Sequence, residues 1–382
     1  MTAYFAYDEL TWPEIDALPR NTPMVIPLGE GYPLDRLASA LGNPPHAGLL
    51  PSIPYGWAGS GLHLPETLLG ALVANLLDSL GDDGFSRAYA LTPQGIDLGL
   101  GDRRIGLYNP MASAGNLPLP PDTARGKVVL IPVGHTEQHG YHLPMSTDTL
   151  IIAAIAQGAA AASPERAVTL PVMPYGVSTH RSSFAGTLSA GGRAFEDFYL
   201  GMIDILVERG FDRFYLLSGH GGNMSFLVNV VKYAGERHRR TFIATAFLYL
   251  SGPEGISALE KYRQSPHGGM GHACELETSL ILHLRPDLVH MEQAVDEIDF
   301  ITTASYSMDW VEGGTLVANP PWDDDTKTGA YGAGSLGAAS KGQIWLQTAI
   351  AEKVAHVEEI HEQFTRREER RKSGYGQWGK KA

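Results

Sequence analysis

Short, continuous apolar runs, each broken off by a turn and followed by a stretch of helical character, recur along this chain and restrict it to one class of fold. The runs cover residues 24–28, 128–133, 168–173, 213–217 and 241–249, and helical stretches cover 150–162, 193–208, 224–239 and 342–370. A run without polar alternation is what a strand buried on both faces requires, and strands alternating with helices give a parallel sheet covered on both sides. The expectation is α/β: a three-layer α/β/α arrangement around a mostly parallel central sheet, plus a smaller related α/β unit at the N-terminus. Functional groups in such sheets gather beyond the carboxyl ends of the strands.

The related unit is read from an internal echo. Val25-Ile26-Pro27-Leu28-Gly29 resembles Leu130-Ile131-Pro132-Val133-Gly134, Pro54-Tyr55-Gly56 resembles Pro174-Tyr175-Gly176, and Gly84-Phe85 to Leu91 resembles Gly210-Phe211 to Leu217. Three matches in one order suggest a copied unit. The copies differ where chemistry would sit, because Gly29 runs on without histidine and Pro93-Gln94 stands where the second copy has Gly219-His220. The expected organisation is a degenerate, metal-free unit over 1–107, a linker rich in Pro, Gly, Ala and Asn over 108–125, and a catalytic domain over 126–382.

Composition excludes several classes. At 382 residues and 43% hydrophobic content the chain can bury a substantial core. A net charge of −13 argues against nucleic acid or an anionic membrane as partner. The one cysteine, Cys274, rules out an intrachain disulfide and fits a reducing compartment. With no apolar run of signal-peptide or membrane-spanning length, the expected location is cytoplasmic.

The chemistry concentrates in three clusters. Directly after the run 128–133, a turn-rich segment carries Glu137, His139, His142 and Asp148. Carboxylates and imidazoles together are the donors that zinc, manganese or iron takes. Glu137 and His139, two apart, share a face of an extended segment. Asp148 opens a helix, where a plain capping role competes with ligation. His142 reads either as a third ligand or as a hydrogen-bond partner behind the ligands. His220 stands among glycines in Ser-Gly-His-Gly-Gly-Asn, which allow close backbone approach to one functional side chain. The third cluster holds His272, Cys274, Glu275 and Glu277. On a helix its two glutamates are well separated, so one is available to bind metal while the other holds a structural hydrogen bond. Cys274 is a soft ligand or a small buried thiol, and His180 is a substrate contact or a surface-loop histidine.

Taken in order, these clusters resemble the creatininase family of metal-dependent amidohydrolases. The shared pattern is a Glu-Gln-His-Gly loop, a Thr-Asp pair, a Gly-His-Gly-Gly-Asn turn and a Glu-x-Glu-Thr-Ser segment, over roughly residues 126–364. The resemblance implies two divalent metal ions, zinc first with manganese or iron(II) as alternatives, and a bridging Asp148. Glu137 and His220 would complete one site, and His139 and Glu275 the other. It implies His272 as proton donor, His180 at the substrate, a small-molecule substrate and a homo-oligomer. Creatininase itself takes a ligand two residues after the turn histidine, where this chain has Gly222, and that departure argues against creatinine. Ala185 stands where relatives usually carry proline, and Cys274 where glycine is common.

The expected activity is metal-dependent hydrolysis, a bridging hydroxide attacking a carbonyl near neutral pH. The leading reading is an amidohydrolase cleaving a cyclic or linear amide in a small polar molecule. The alternatives are ring-opening C–C hydrolysis of an oxidised cyclitol, a keto-inosose of inositol catabolism, and a non-catalytic metal-binding or assembly protein.

Overall fold

The computed structural model describes residues 1–112, 117–179, 183–311 and 313–374. The first unit contains β1 (Ala3–Ala6), α1 (Trp12–Asp16), β2 (Met24–Pro27), α2 (Leu34–Ala40), β3 (His46–Leu49), α3 (Glu66–Asp82), β4 (Ala88–Pro93) and β5 (Arg104–Leu107). Its strands form one parallel sheet in the order β1-β3-β2-β4-β5. The second unit runs through β6 (Val128–Val133), α4 (Thr147–Ala162), β7 (Ala167–Thr169), α5 (Gly192–Glu208), β8 (Arg213–Ser218), α6 (Met224–Arg237) and β9 (Phe242–Thr245). These strands also lie parallel, in the order β7-β6-β8-β9. The chain ends with α7 (Pro253–Tyr262), the antiparallel pair β10 (Met270–His272) and β11 (Tyr331–Gly332), α8 (Glu275–Leu284) and the long α9 (Ala339–Lys372).

Alternating side chains explain the layering. In β6, Val129, Ile131 and Val133 face one core while Val128 and Leu130 face another. The first core is shared by both units and includes α3 and α5. Each of those helices turns an i, i+3, i+4 stripe inward: Leu69, Leu72, Val73, Leu76, Leu77 and Leu80 on α3, and Phe195, Phe198, Tyr199, Met202, Ile203 and Leu206 on α5. The two helices pack on each other between the sheets. The second core lies on the far face of the second sheet, under α4, α8 and α9. A smaller third core places α2 on the outer face of the first sheet.

The two sheets share an order, β3-β2-β4-β5 against β7-β6-β8-β9. They also share a register: Val25, Ile26 and Pro27 oppose Tyr89, Ala90 and Leu91, as Leu130, Ile131 and Pro132 oppose Tyr215, Leu216 and Leu217. The turn after the central strand is tied alike, Gly29 to the carbonyl of Ile53 and Gly134 to that of Met173. The N-terminal sheet carries one strand more than its counterpart, β1 beside β3.

Two strands are shorter than their apolar runs. The run 168–173 keeps only its first residues in β7, because Pro171 has no N–H for the ladder. The run 241–249 stops at Thr245, since Leu248 and Leu250 take left-handed backbone at φ +47° and +59°.

Candidate metal centre

The loop leaving β6 folds back on itself before entering α4, with the amide of Glu137 donating to the carbonyl of Met145. That turn brings Glu137 and His139 beside Asp148 in the first turn of α4, where the helix dipole favours a carboxylate. His220 follows directly on the neighbouring strand β8. Asn223 stitches these strand ends together, accepting from the Val177 amide and donating to the Gly134 carbonyl. A third arm comes from β10 and α8. Between them Ala273, a non-glycine residue at φ +50°, makes the corner that sends both His272 and Glu277 toward the same cleft.

The donor atoms converge. Asp148 Oδ1 lies 3.2 Å from His139 Nε2, which is 3.9 Å from Glu277 Oε1. Asp148 Oδ2 lies 3.3 Å from His220 Nδ1, which is 2.9 Å from Glu137 Oε2. The aspartate thus faces two groups, one with each carboxylate oxygen. Glu137, His139, Asp148, His220 and Glu277 are all at most 3% exposed.

The backbone sets the imidazole tautomers. His139 Nδ1 is 3.0 Å from the carbonyl of Glu137, and His220 Nε2 is 3.1 Å from that of Val177. With a proton on each of those nitrogens, the opposite nitrogens turn lone pairs toward carboxylate oxygens. That arrangement demands positive charge between them, either a second proton or a cation. Burial alone would depress both histidines, yet the surrounding carboxylates outweigh it, raising His139 and pushing His220 up to about 9. Burial would likewise raise Asp148, but His139 and His220 hold its carboxyl below the usual range.

Cations fit the same space. Three carboxylates offset most of the charge of two divalent ions, and leaving three buried anions uncompensated would be strongly unfavourable. Donors about 2.1 Å from a tetrahedral ion stand roughly 3.4 Å apart, close to the 2.9–3.9 Å separations above. Three overlapping trios have ligand atoms within 4.8 Å of one another: His135, Glu137 and His220; Glu137, His139 and His272; His139, Asp148 and Glu277.

Four of the five expected ligands, Glu137, His139, Asp148 and His220, meet here, and Glu275 does not. Residues two apart on a helix point to nearly opposite sides. Glu275 turns away to accept from the amides of Gln264 and Ser265 and from Lys341 Nζ, while Glu277 faces His139. By position it is therefore Glu277, and not the expected Glu275, that faces the cluster. His142 lies behind the ligands, with Nε2 2.9 Å from Thr278 Oγ1, and burial together with His139 lowers it to about 4. Cys274 is buried at the start of α8, its thiol 3.9 Å from Glu277 Oε2 and pushed up by desolvation. His180 lies outside the described residues.

His272 stands against the cluster. Its ring is 4.1 Å from that of His139, and Nε2 donates to the carbonyl of Gln138 at 2.7 Å. The residue missed by sequence reasoning is His135, which stacks on His220 at 4.3 Å and accepts the Gly176 amide at Nδ1. Its place in the same loop as Glu137 was the available signal. The cleft beside the cluster, about 80 Å³, is lined by Phe247, Leu248, Met270, Met308 and Trp310 as well as Asp148, His220, His272 and Glu277. A space of that size holds only a few waters.

The turn glycine that breaks the creatininase pattern has a steric reason. A Cβ at Gly222 would lie 2.4 Å from His220 Nε2 and 2.5 Å from the Val177 carbonyl. Gly222→Ala is therefore expected to push His220 off its carbonyl anchor and weaken metal retention at least about tenfold, measured by competition with a chelator. Wild-type retention in that variant would show that the turn does not set the ligand.

Comparison with known proteins agrees with this geometry. The sequence profile of the creatininase family, described as creatinine amidohydrolase, matches residues 121–357. The mycofactocin precursor peptide peptidase of Mycobacterium ulcerans (strain Agy99) is 33% identical over 174 residues, 42% of this chain and 60% of that protein. The 3-dehydro-scyllo-inosose hydrolase of Thermotoga maritima is 30% identical over 181 residues, 44% of this chain and 54% of that protein. The chain thus spans less than two thirds of either relative. A crystal structure of creatinine amidohydrolase superposes with a TM-score of 0.52 at 25% identity, covering 64% of this chain and 92% of that one. With the profile matching well over half its length, the chain belongs to the creatininase family.

Proposed function

We propose that this protein is a hydrolase dependent on two divalent metal ions, zinc first and manganese or iron(II) as alternatives, that cleaves an amide C–N bond. The observation that carries the reading is the buried five-donor cluster in which Asp148 presents one oxygen to His139 and the other to His220. Glu137, Asp148 and His220 would hold one ion, and His139, Asp148 and Glu277 the other. When bound, such a pair activates water near neutral pH and polarises a carbonyl.

The remaining work falls to the chain's own groups. His272, held with Nε2 2.7 Å from the Gln138 carbonyl, is the group that would carry a proton to the leaving nitrogen. Phe247, Leu248, Met308 and Trp310 wall the cleft and restrict water. His272→Ala is expected to keep both metal ions and lose about 10²–10⁴ in turnover. Full activity in that variant would remove His272 from the reaction.

A second reading is ring-opening hydrolysis of a cyclic ketone, favoured by the resemblance to the inosose hydrolase. The relatives named above act on a peptide, a cyclitol and creatinine, so the family alone leaves the scissile bond open. Product analysis decides it: release of ammonia or an amine supports C–N cleavage, and a new carboxylic acid without amine supports C–C cleavage. No turnover by the metal-loaded protein on either class would favour a non-catalytic, metal-binding role. The protein is further taken as a cytoplasmic homo-oligomer acting on a small molecule; among the described residues no helix is long and apolar enough to cross a membrane.

The N-terminal unit is proposed to be a degenerate, metal-free copy of the second, supported by the shared strand order and register. Trp57, next to Tyr55-Gly56, packs its indole against Gly29, the position that matches Gly134 at the head of the ligand loop. Bulk there takes the place of a ligand cluster.

A further inference from the structure

We infer that Trp12, supplied by the N-terminal unit and outside the family match, is a positioning residue for His272. The inference rests on the hydrolytic reading of the centre and gives the N-terminal unit a part in it. The segment before α1 is fastened to the ligand loop by two backbone hydrogen bonds, from the amides of Met145 and Ser146 to the carbonyls of Leu10 and Asp8. Met145 is also the residue whose carbonyl receives the Glu137 amide, so the arm lies one hydrogen bond from a ligand. This fastening places Trp12 beside the loop that carries His139, against Tyr141.

Trp12 then touches three separate segments. Its rings lie 5.4 Å from Tyr141, two residues after His139, and 5.4 Å from Phe184. Its indole N–H donates to the Thr328 carbonyl at 2.8 Å. The next carbonyl, that of Gly329, receives Gln138 Nε2 at 2.9 Å, and the backbone carbonyl of Gln138 receives His272 Nε2 at 2.7 Å. Gly329 has φ +84°, and a Cβ there would stand 2.1 Å from Gln138 Oε1, so this segment passes hard against Gln138. An unbroken relay therefore runs from the indole through Thr328-Gly329 and Gln138 to the proposed proton donor. Among the described residues, the ring and hydrogen-bond contacts of Trp12 are with Tyr141, Phe184 and Thr328 and not with the five-donor cluster, so its effect should fall on proton transfer and spare metal binding.

Trp12→Phe keeps a ring on Tyr141 and Phe184 but removes the donor to Thr328. The expected result is a kcat about tenfold lower, as for outer hydrogen-bond partners elsewhere, with KM within about twofold and metal content unchanged. In a His272→Ala background the same substitution should cause no further loss, since the relay then has no terminus. Hydrogen–deuterium exchange reads the brace without any substrate, and peptides covering 326–332 should exchange at least about threefold faster in Trp12→Phe. If exchange is unchanged, or if the loss of kcat is equally large without His272, the inference is overturned. If exchange responds while the metal-loaded wild type turns over nothing, the brace stands and the hydrolytic reading falls. Trp12→Ala adds loss of the ring contacts, and because Trp12→Phe alone decides the matter, a poorly folding alanine variant leaves the test intact.

Discussion

Asp148→Asn is expected to empty both halves of the centre at once, taking metal content from about two ions per chain to well under one and activity to background. The carboxylate is the one group whose two oxygens face different histidines, 3.2 Å from His139 and 3.3 Å from His220. An amide of the same shape keeps the packing at the start of α4 and removes the charge. Stability gives a second, independent readout. A ligand that binds only the folded state at about 1,000 times its Kd adds about 4 kcal/mol, which moves Tm by several degrees. That metal-induced rise should appear in the wild type and vanish in Asp148→Asn. Without metal the variant should also be the less stable of the two, because the Asp148 carboxylate then pairs with His139 and His220 and the amide cannot. A variant that holds two ions with the full thermal rise would sink the shared-ligand assignment. One retained ion per chain would show that Asp148 serves a single site.

Much of this arrangement was legible in the chain, and what was not has identifiable causes. The run 128–133 announces β6 because a strand covered on both faces needs no polar alternation, and all six of its residues are buried. The loop from Glu137 to Asp148 could be read as a ligand source because it follows such a strand, where α/β sheets gather their sites. The echo of 25–29 in 130–134 falls on β2 and β6, two strands that pair with their neighbours in matching register. Strands β3 and β5 carry Gly, His or Arg among few apolar residues, and β1 is only four residues long, so no extended apolar run marks them. Their pairing is decided by neighbours distant in sequence, which override weak local preference. The role of Trp12 was equally hidden. Nothing local connects it to Thr328, 316 residues away, and only the tertiary fold brings them together.

The choice between Glu275 and Glu277 turns on which way each side chain points, and it yields the second large effect. Both glutamates lie in the first turn of α8, so either satisfies a pattern that asks for a carboxylate in that segment. The helix then separates them by about half a turn, and their partners divide the labour. Glu277 reaches toward His139, while Glu275 closes a buried pair with Lys341 on α9 and ties down the amides of residues 264 and 265. Glu277→Gln is expected to lose one of the two ions and at least about 10²-fold in turnover, with the chain still folded. Glu275→Gln should do the opposite. It leaves the Lys341 ammonium without its carboxylate and destabilises the fold by about 3 kcal/mol, the low end for breaking a buried ion pair, since Gln264 and the Leu336 carbonyl still receive the amine. Metal content in that variant should stay at about two per chain. Metal analysis and thermal unfolding of the two proteins side by side separate the roles, and a Glu275→Gln variant that loses an ion while Glu277→Gln keeps both would return the ligand to Glu275.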